Sequence, residues 1–65
     1  MAVSKVIELL ASSPDSWEDA VQVAVQEAWK TEKGFRRVYV KSLMCNVRDG
    51  KVVEYRAEVR ISVPV

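Results

Sequence analysis

Site chemistry usually needs a nucleophile with a base, a cage for a metal, or a cluster of recognising charges. This chain has little of the first two. It contains no histidine. A serine or cysteine nucleophile would therefore need a lysine or carboxylate base, and no spacing here sets one beside it. Catalysis is not expected. Cys45 is the only cysteine, which excludes a disulfide within the chain and makes a Cys/His zinc site improbable. Its expected role is that of a small buried hydrophobe. Charges remain. Glu54, Arg56, Glu58 and Arg60 alternate with apolar residues in one stretch. They read as a solvated or interfacial ion-pair ladder, each pair contributing a few tenths to about 1 kcal/mol. The functional reading is a polar pocket wall for an anionic or heteroaromatic ligand. Arg36 and Arg37 are surface or interface residues, or a grip for phosphate.

The element that positions the ladder is the end of the chain. Val53, Tyr55, Ala57, Val59, Ile61, Val63 and Val65 fall on one face of Val52–Val65, and the charged residues and Ser62 on the other. Period-two alternation over this length predicts a strand, β3. Its odd face needs a cover. The helix predicted upstream supplies one, because Trp17, Ala20, Val21, Ala24, Val25, Ala28 and Trp29 recur at i, i+3, i+4 spacing. Both tryptophans are expected in the core or at a subunit contact. Gln22, Gln26, Glu27 and Lys30 lie on the wet side, and Val23 sits off the stripe. The helix starts in Ser13-Pro14-Asp15-Ser16-Trp17-Glu18-Asp19, with either Ser13 or Ser16 as cap. It ends near Lys30 or Lys33, with Gly34 as the expected C-cap.

Lys5–Ala11 reads as strand β1, stopped by Ser12-Ser13-Pro14, although Ile7, Leu10 and Ala11 also fit a helical spacing. Phe35–Arg48 reads as β2. Its apolar face sits on even positions at Val38 and Val40 and turns ambiguous after Lys41, which predicts a bulge near Ser42–Met44. Asp49-Gly50 is a two-residue hairpin signal of type I′. Pro64 is expected to limit ladder pairing at the end of β3. The expected fold is α+β, in the order β-α-β-β, with a three-stranded antiparallel sheet around one helix in a single domain over residues 1–65.

A chain of 65 residues buries only about 60% of its extended surface and is marginal alone. With no disulfide or zinc, association with copies of itself is the expected support. Ten basic and nine acidic residues leave a net charge of +1, too balanced to point to nucleic acid or an anionic membrane. No apolar run is long enough to span a bilayer. Met1–Leu10 holds Lys5 and Glu8 and lacks the apolar core of a signal peptide. A cytoplasmic protein is expected.

Several segments together resemble the dodecin family: Lys5-Val6-Ile7-Glu8; Ser12-Ser13-Pro14-Asp15-Ser16-Trp17-Glu18-Asp19-Ala20; the Phe35–Val47 strand; and Glu54-Tyr55-Arg56-Ala57-Glu58-Val59. The resemblance covers nearly the whole chain and its element order. It implies a β-α-β-β subunit, a hollow homododecamer, and storage or buffering of a small ligand, typically flavin (riboflavin or FMN). In flavin-binding members a tryptophan on the second strand stacks on the isoalloxazine ring and a glutamine on the third strand bonds its polar edge. Arg37 and Arg56 stand at the matching positions here. The resemblance thus marks Arg37, Arg56 and Tyr39 as the ligand-site equivalents. A guanidinium can stack on an aromatic face, whereas two of them bring repelling charges into a site for a neutral ring. Other dodecin-like members lack the flavin pair and are associated with calcium. The Ser-Pro-Asp-Ser-Trp-Glu start and Tyr55-Arg56 look closer to that branch. Metal ligands stay unassigned: Glu54, Glu58 or Asp49 would have to converge from several subunits.

Overall fold

The computed structural model describes residues 3–65. Strand β1 (Ser4–Ser13) leads to helix α1 (Trp17–Thr31), then β2 (Val38–Arg48) and β3 (Lys51–Pro64). The three strands form one antiparallel sheet in the order β1-β3-β2. The strand with the cleanest alternation is therefore the central one, and β1 and β2 are its edges.

The odd face of β3 makes the core with the small-residue line of the helix. Ala57, Val59, Ile61 and Val63 are buried against Ala20, Ala24 and Ala28, with Ile7, Leu9, Ala11, Val21, Val25 and Val38 packed around them. Alanine at every fourth helical position lets the helix axis lie close to the sheet. Val59 and Ile61 are fully buried, and each such side chain contributes roughly 1.5–3 kcal/mol. Trp17 is only half-buried and Trp29 is 45% exposed, at the margins of the stripe. Val53 and Val65 are also exposed.

The helix start uses both candidate serines. Ser16 is the N-cap, its hydroxyl accepting from the Asp19 N–H at 3.0 Å. Ser13, buried, accepts from the Asp15 N–H and donates to the Asp19 carboxylate at 2.6 Å. Asp19 thus reaches back past the cap to the preceding turn. Glu18 and Asp19 place negative charge at the positive end of the helix dipole.

The helix end differs from expectation. Glu32 in extended conformation is the C-cap, its N–H donating to the Ala28 carbonyl. Gly34 lies two residues beyond it at φ 88° and supplies the left-handed turn toward Phe35. Phe35 does not begin β2. It turns inward, buried, and meets Trp29 edge-on at 5.1 Å between ring centroids, so β2 starts three residues later. Pro64 also departs from expectation, since pairing continues through Ser4↔Pro64 and the Val65 N–H donates to the Val3 carbonyl. The missing proline N–H faces the other side, where the β2 ladder has already ended at Val38↔Ile61.

The hairpin turn is as expected, with Asp49 at φ 52° and Gly50 at φ 75°. The register slips between Val40 and Ser42, a little before the expected bulge, and again between Asn46 and Val47. A 15-residue helix spans about 22 Å and the 14 residues of β3 about 46 Å. The hairpin therefore runs on past the helix as an arm, and the molecule is 52 Å long and 19 Å wide. Leu43, Met44, Val47, Val52 and Val53 on that arm are exposed. Cys45 lies there too and is exposed.

Candidate functional site on the outer face of the sheet

The face of the sheet turned away from the helix carries the charges. From β3 it presents Glu54, Arg56, Glu58 and Arg60. The β2 register sets Asn46, Met44, Ser42 and Tyr39 beside them. The β1 register adds Ser12, Leu10, Glu8 and Val6. Strand alternation alone explains most of this arrangement. The slip at Lys41 explains the rest, since two β2 residues then oppose Glu58 on the same side.

Lys41 and Ser42 both engage Glu58 across that slip. The Ser42 hydroxyl donates to Glu58 Oε1 at 3.0 Å, and Lys41 Nζ lies 3.9 Å from Glu58 Oε2. Lys41 also donates to Glu8 Oε2 at 3.4 Å, so one ammonium spans all three strands. Further along, the Asn46 side-chain amide donates to Glu54 Oε1 at 2.8 Å. That same oxygen is 4.0 Å from Arg56 Nε. Arg56 Nε is buried and has no hydrogen-bond partner among the described residues, while the side chain as a whole is 38% exposed. The Trp17 indole N–H donates to the Met44 carbonyl at 2.8 Å, and the ring packs edge-on against Tyr55 with centroids 4.9 Å apart.

The structure places the three expected site residues on two regions. Tyr39 stands on the outer face, 61% exposed, with the Arg60 guanidinium 6.0 Å from its ring centroid. Arg37 is exposed in the connection just before β2. Arg56 is four residues along β3 from Arg60, the partner of Tyr39, which separates it from Tyr39 by about 13 Å. One subunit therefore does not close Arg37, Tyr39 and Arg56 around a flavin ring. A site built from all three needs more than one copy. The fit to calcium is similar: Glu8, Glu54 and Glu58 are each engaged by a lysine, serine or asparagine, and no three metal-ligating side chains cluster among the described residues. Sequence reasoning missed the Lys41–Glu8 and Asn46–Glu54 contacts. They depend on strand order and register, which periodicity does not specify. No helix among the described residues is long and apolar enough to cross a membrane.

The sequence profile of the dodecins matches residues 3–65. The chain belongs to the dodecin family. Dodecins are non-catalytic, form dodecamers and bind small ligands, flavins or calcium. The calcium-chelating antigen calcium dodecin of Mycobacterium tuberculosis is 34% identical, with a TM-score of 0.86 over 97% of this chain and 90% of its own. A dodecin of Thermus thermophilus, solved as a single-substitution variant, is 26% identical with a TM-score of 0.92 over 100% and 97%. The dodecin of Streptomyces coelicolor shares the fold at 23% identity, with a TM-score of 0.91 over 98% and 91%. No curated protein sequence matches the chain. These matches do not carry the expected assignment to the branch without a flavin-stacking tryptophan. This chain does present a half-buried tryptophan, Trp17, beside Tyr55.

Proposed function

We propose that this protein is a non-catalytic, small-ligand-storing dodecin that works as a homododecamer, with flavin as the ligand held between subunits by Arg37, Tyr39 and Arg56. The observation that carries this reading is the outer face of the sheet. It offers an exposed aromatic ring, two arginines (Arg56 and Arg60) and an uncovered surface, with Arg37 in the connection before β2, yet its recognising residues lie too far apart in one subunit to enclose a ligand. The apolar arm beyond the helix supports assembly, since a chain this short gains core by burying such surface against copies of itself. A reducing, cytoplasmic setting fits the single exposed cysteine.

Calcium is the second reading, favoured by the 34% identity with the calcium dodecin. The acidic residues of the outer face would have to be drawn together from several subunits, and Lys41 displaced from Glu8 and Glu58.

Light scattering after size exclusion tests the assembly. A particle of twelve subunit masses is expected, and a stable monomer or dimer would refute it. Riboflavin and FMN titrations, followed by quenching of flavin fluorescence, test the ligand against a calorimetric titration with calcium. Quenching without calcium heat supports flavin, and the opposite pattern supports the second reading. Arg37→Trp supplies an aromatic face and is expected to tighten riboflavin binding. Unchanged affinity would place the ring elsewhere.

A further inference from the structure

The helix packs over β1 and β3 and barely reaches β2. Val40, Leu43 and Cys45 stand opposite Val59, Ala57 and Tyr55, which puts them on the helix side of the sheet. Val53, on the same side of β3, extends their row toward the hairpin. All four of Val40, Leu43, Cys45 and Val53 are exposed. The arm thus carries an apolar strip that its own helix leaves uncovered. The subunit also has an apolar hollow. A cavity of about 310 Å³ opens between β1 and the helix, and Leu9, Leu10, Val23, Ala24 and Glu27 are among its walls. Val23, the valine off the helical stripe, is 40% exposed there. The far side of β1 has no strand neighbour, so the hollow borders an open edge.

Charge distinguishes the two surfaces. Between Lys5 and Lys30 the chain carries Glu8, Asp15, Glu18, Asp19 and Glu27 and no cation. The two elements that wall the hollow are therefore acidic along most of their length. The strip instead leads to the hairpin tip, where Arg48 and Lys51 end and begin the two strands. Arg48, Lys51, Asp15 and Glu18 form no ion pair among the described residues.

We propose that the hollow between β1 and the helix receives the hairpin arm of a second copy. The apolar strip lies over Val23, and the basic tip reaches the acidic rim. This goes beyond the assembly reading and rests on it. Strip and hollow are different surfaces, so the contact is head-to-tail and closes into a ring of copies within the particle. A two-fold contact would set like surfaces together, acid on acid or base on base, which costs energy.

The test uses the full chain and its single thiol. In the unaltered particle Cys45 should resist alkylation by a maleimide, because the strip it belongs to is covered. Val23→Asp sets an unpaired carboxylate in the contact and should raise the subunit dissociation constant about a hundredfold. Cys45 should then react freely, with the far-UV spectrum of the subunit retained, since Val23 lies outside the core. Leu43→Lys should weaken assembly in the same way from the other side. Val23→Asp and Leu43→Lys combined in one chain should recover at least about tenfold of the summed loss, because the two charges then meet. Losses that simply add would overturn the proposal. An assembled, unaltered particle in which Cys45 is alkylated freely overturns it alone and leaves the assembly reading standing. An unaltered chain that stays monomeric overturns both.

Discussion

Ser13 and Ser16 show how much local structure rests on single hydroxyls. Both stand before the helix, and their tasks are distinct. Ser16 satisfies a first-turn N–H, whereas Ser13 ties the turn to Asp19 from a buried position. Ser16→Ala should cost about 1 kcal/mol, the usual worth of an N-cap. Ser13→Ala leaves the Asp15 N–H and the Asp19 carboxylate each short of a partner, and should cost about 1–3 kcal/mol. Urea denaturation of the two variants measures both. In the core, Ile61 is fully enclosed between sheet and helix. Ile61→Ala should cost roughly 2–5 kcal/mol and Ile61→Val about 0.5–1.5 kcal/mol. The same denaturation series checks that spread. The roles of Ser13 and Ser16 were half-legible: the sequence placed a cap in this segment, and only the path of the turn separated the two.

At the scale of elements, the hairpin arm and the register slip matter most. Asp49 and Gly50 both adopt positive φ, which a side chain at Gly50 would resist even with open space around it. Gly50→Val should destabilise by about 1–2 kcal/mol through backbone strain alone. A thermal melt showing no loss would mean the turn relaxes to another type. Lys41 is the second such point. Its ammonium joins β1 to the β2–β3 pair across the outer face. These ion pairs are half-exposed, so Lys41→Met should change stability by no more than about 1 kcal/mol. The contact therefore fixes side-chain placement on the outer face more than it stabilises the fold. Its expected consequence is altered flavin or calcium binding with a melting temperature nearly unchanged.

For the whole molecule, shape is decisive. A thin subunit with an arm beyond its helix leaves Leu43, Val47, Val52 and Trp29 in contact with water. Such surface favours association. Assembly links stability to concentration, because copies that bind only the folded chain shift its unfolding by mass action. The melting temperature should therefore rise with protein concentration. A melting temperature constant over a hundredfold dilution would signal a subunit stable by itself. Trp29, exposed in the subunit, should lose access to a collisional quencher on assembly. Trp17, already held by Met44 and Tyr55, should change less.

The sequence by itself determined the element order, the hairpin turn, the face of β3 that is buried and the helical stripe that covers it. All are local facts, written in periods of two and 3.6 residues and in the conformational demands of Asp49-Gly50. The segments shared with dodecins also marked Arg37, Tyr39 and Arg56. Which strand is central, which residues face Lys41, where Phe35 turns and why Cys45 is uncovered were decided by tertiary structure. Each depends on register across strands and on where a short helix stops over a longer sheet, and neither is encoded in any single window of sequence. The state of Arg56 belongs to the same class. Its charge was plain from the chain, but its buried Nε without a hydrogen-bond partner among the described residues, and the Asn46 amide on Glu54 beside it, follow from the register across the ladder.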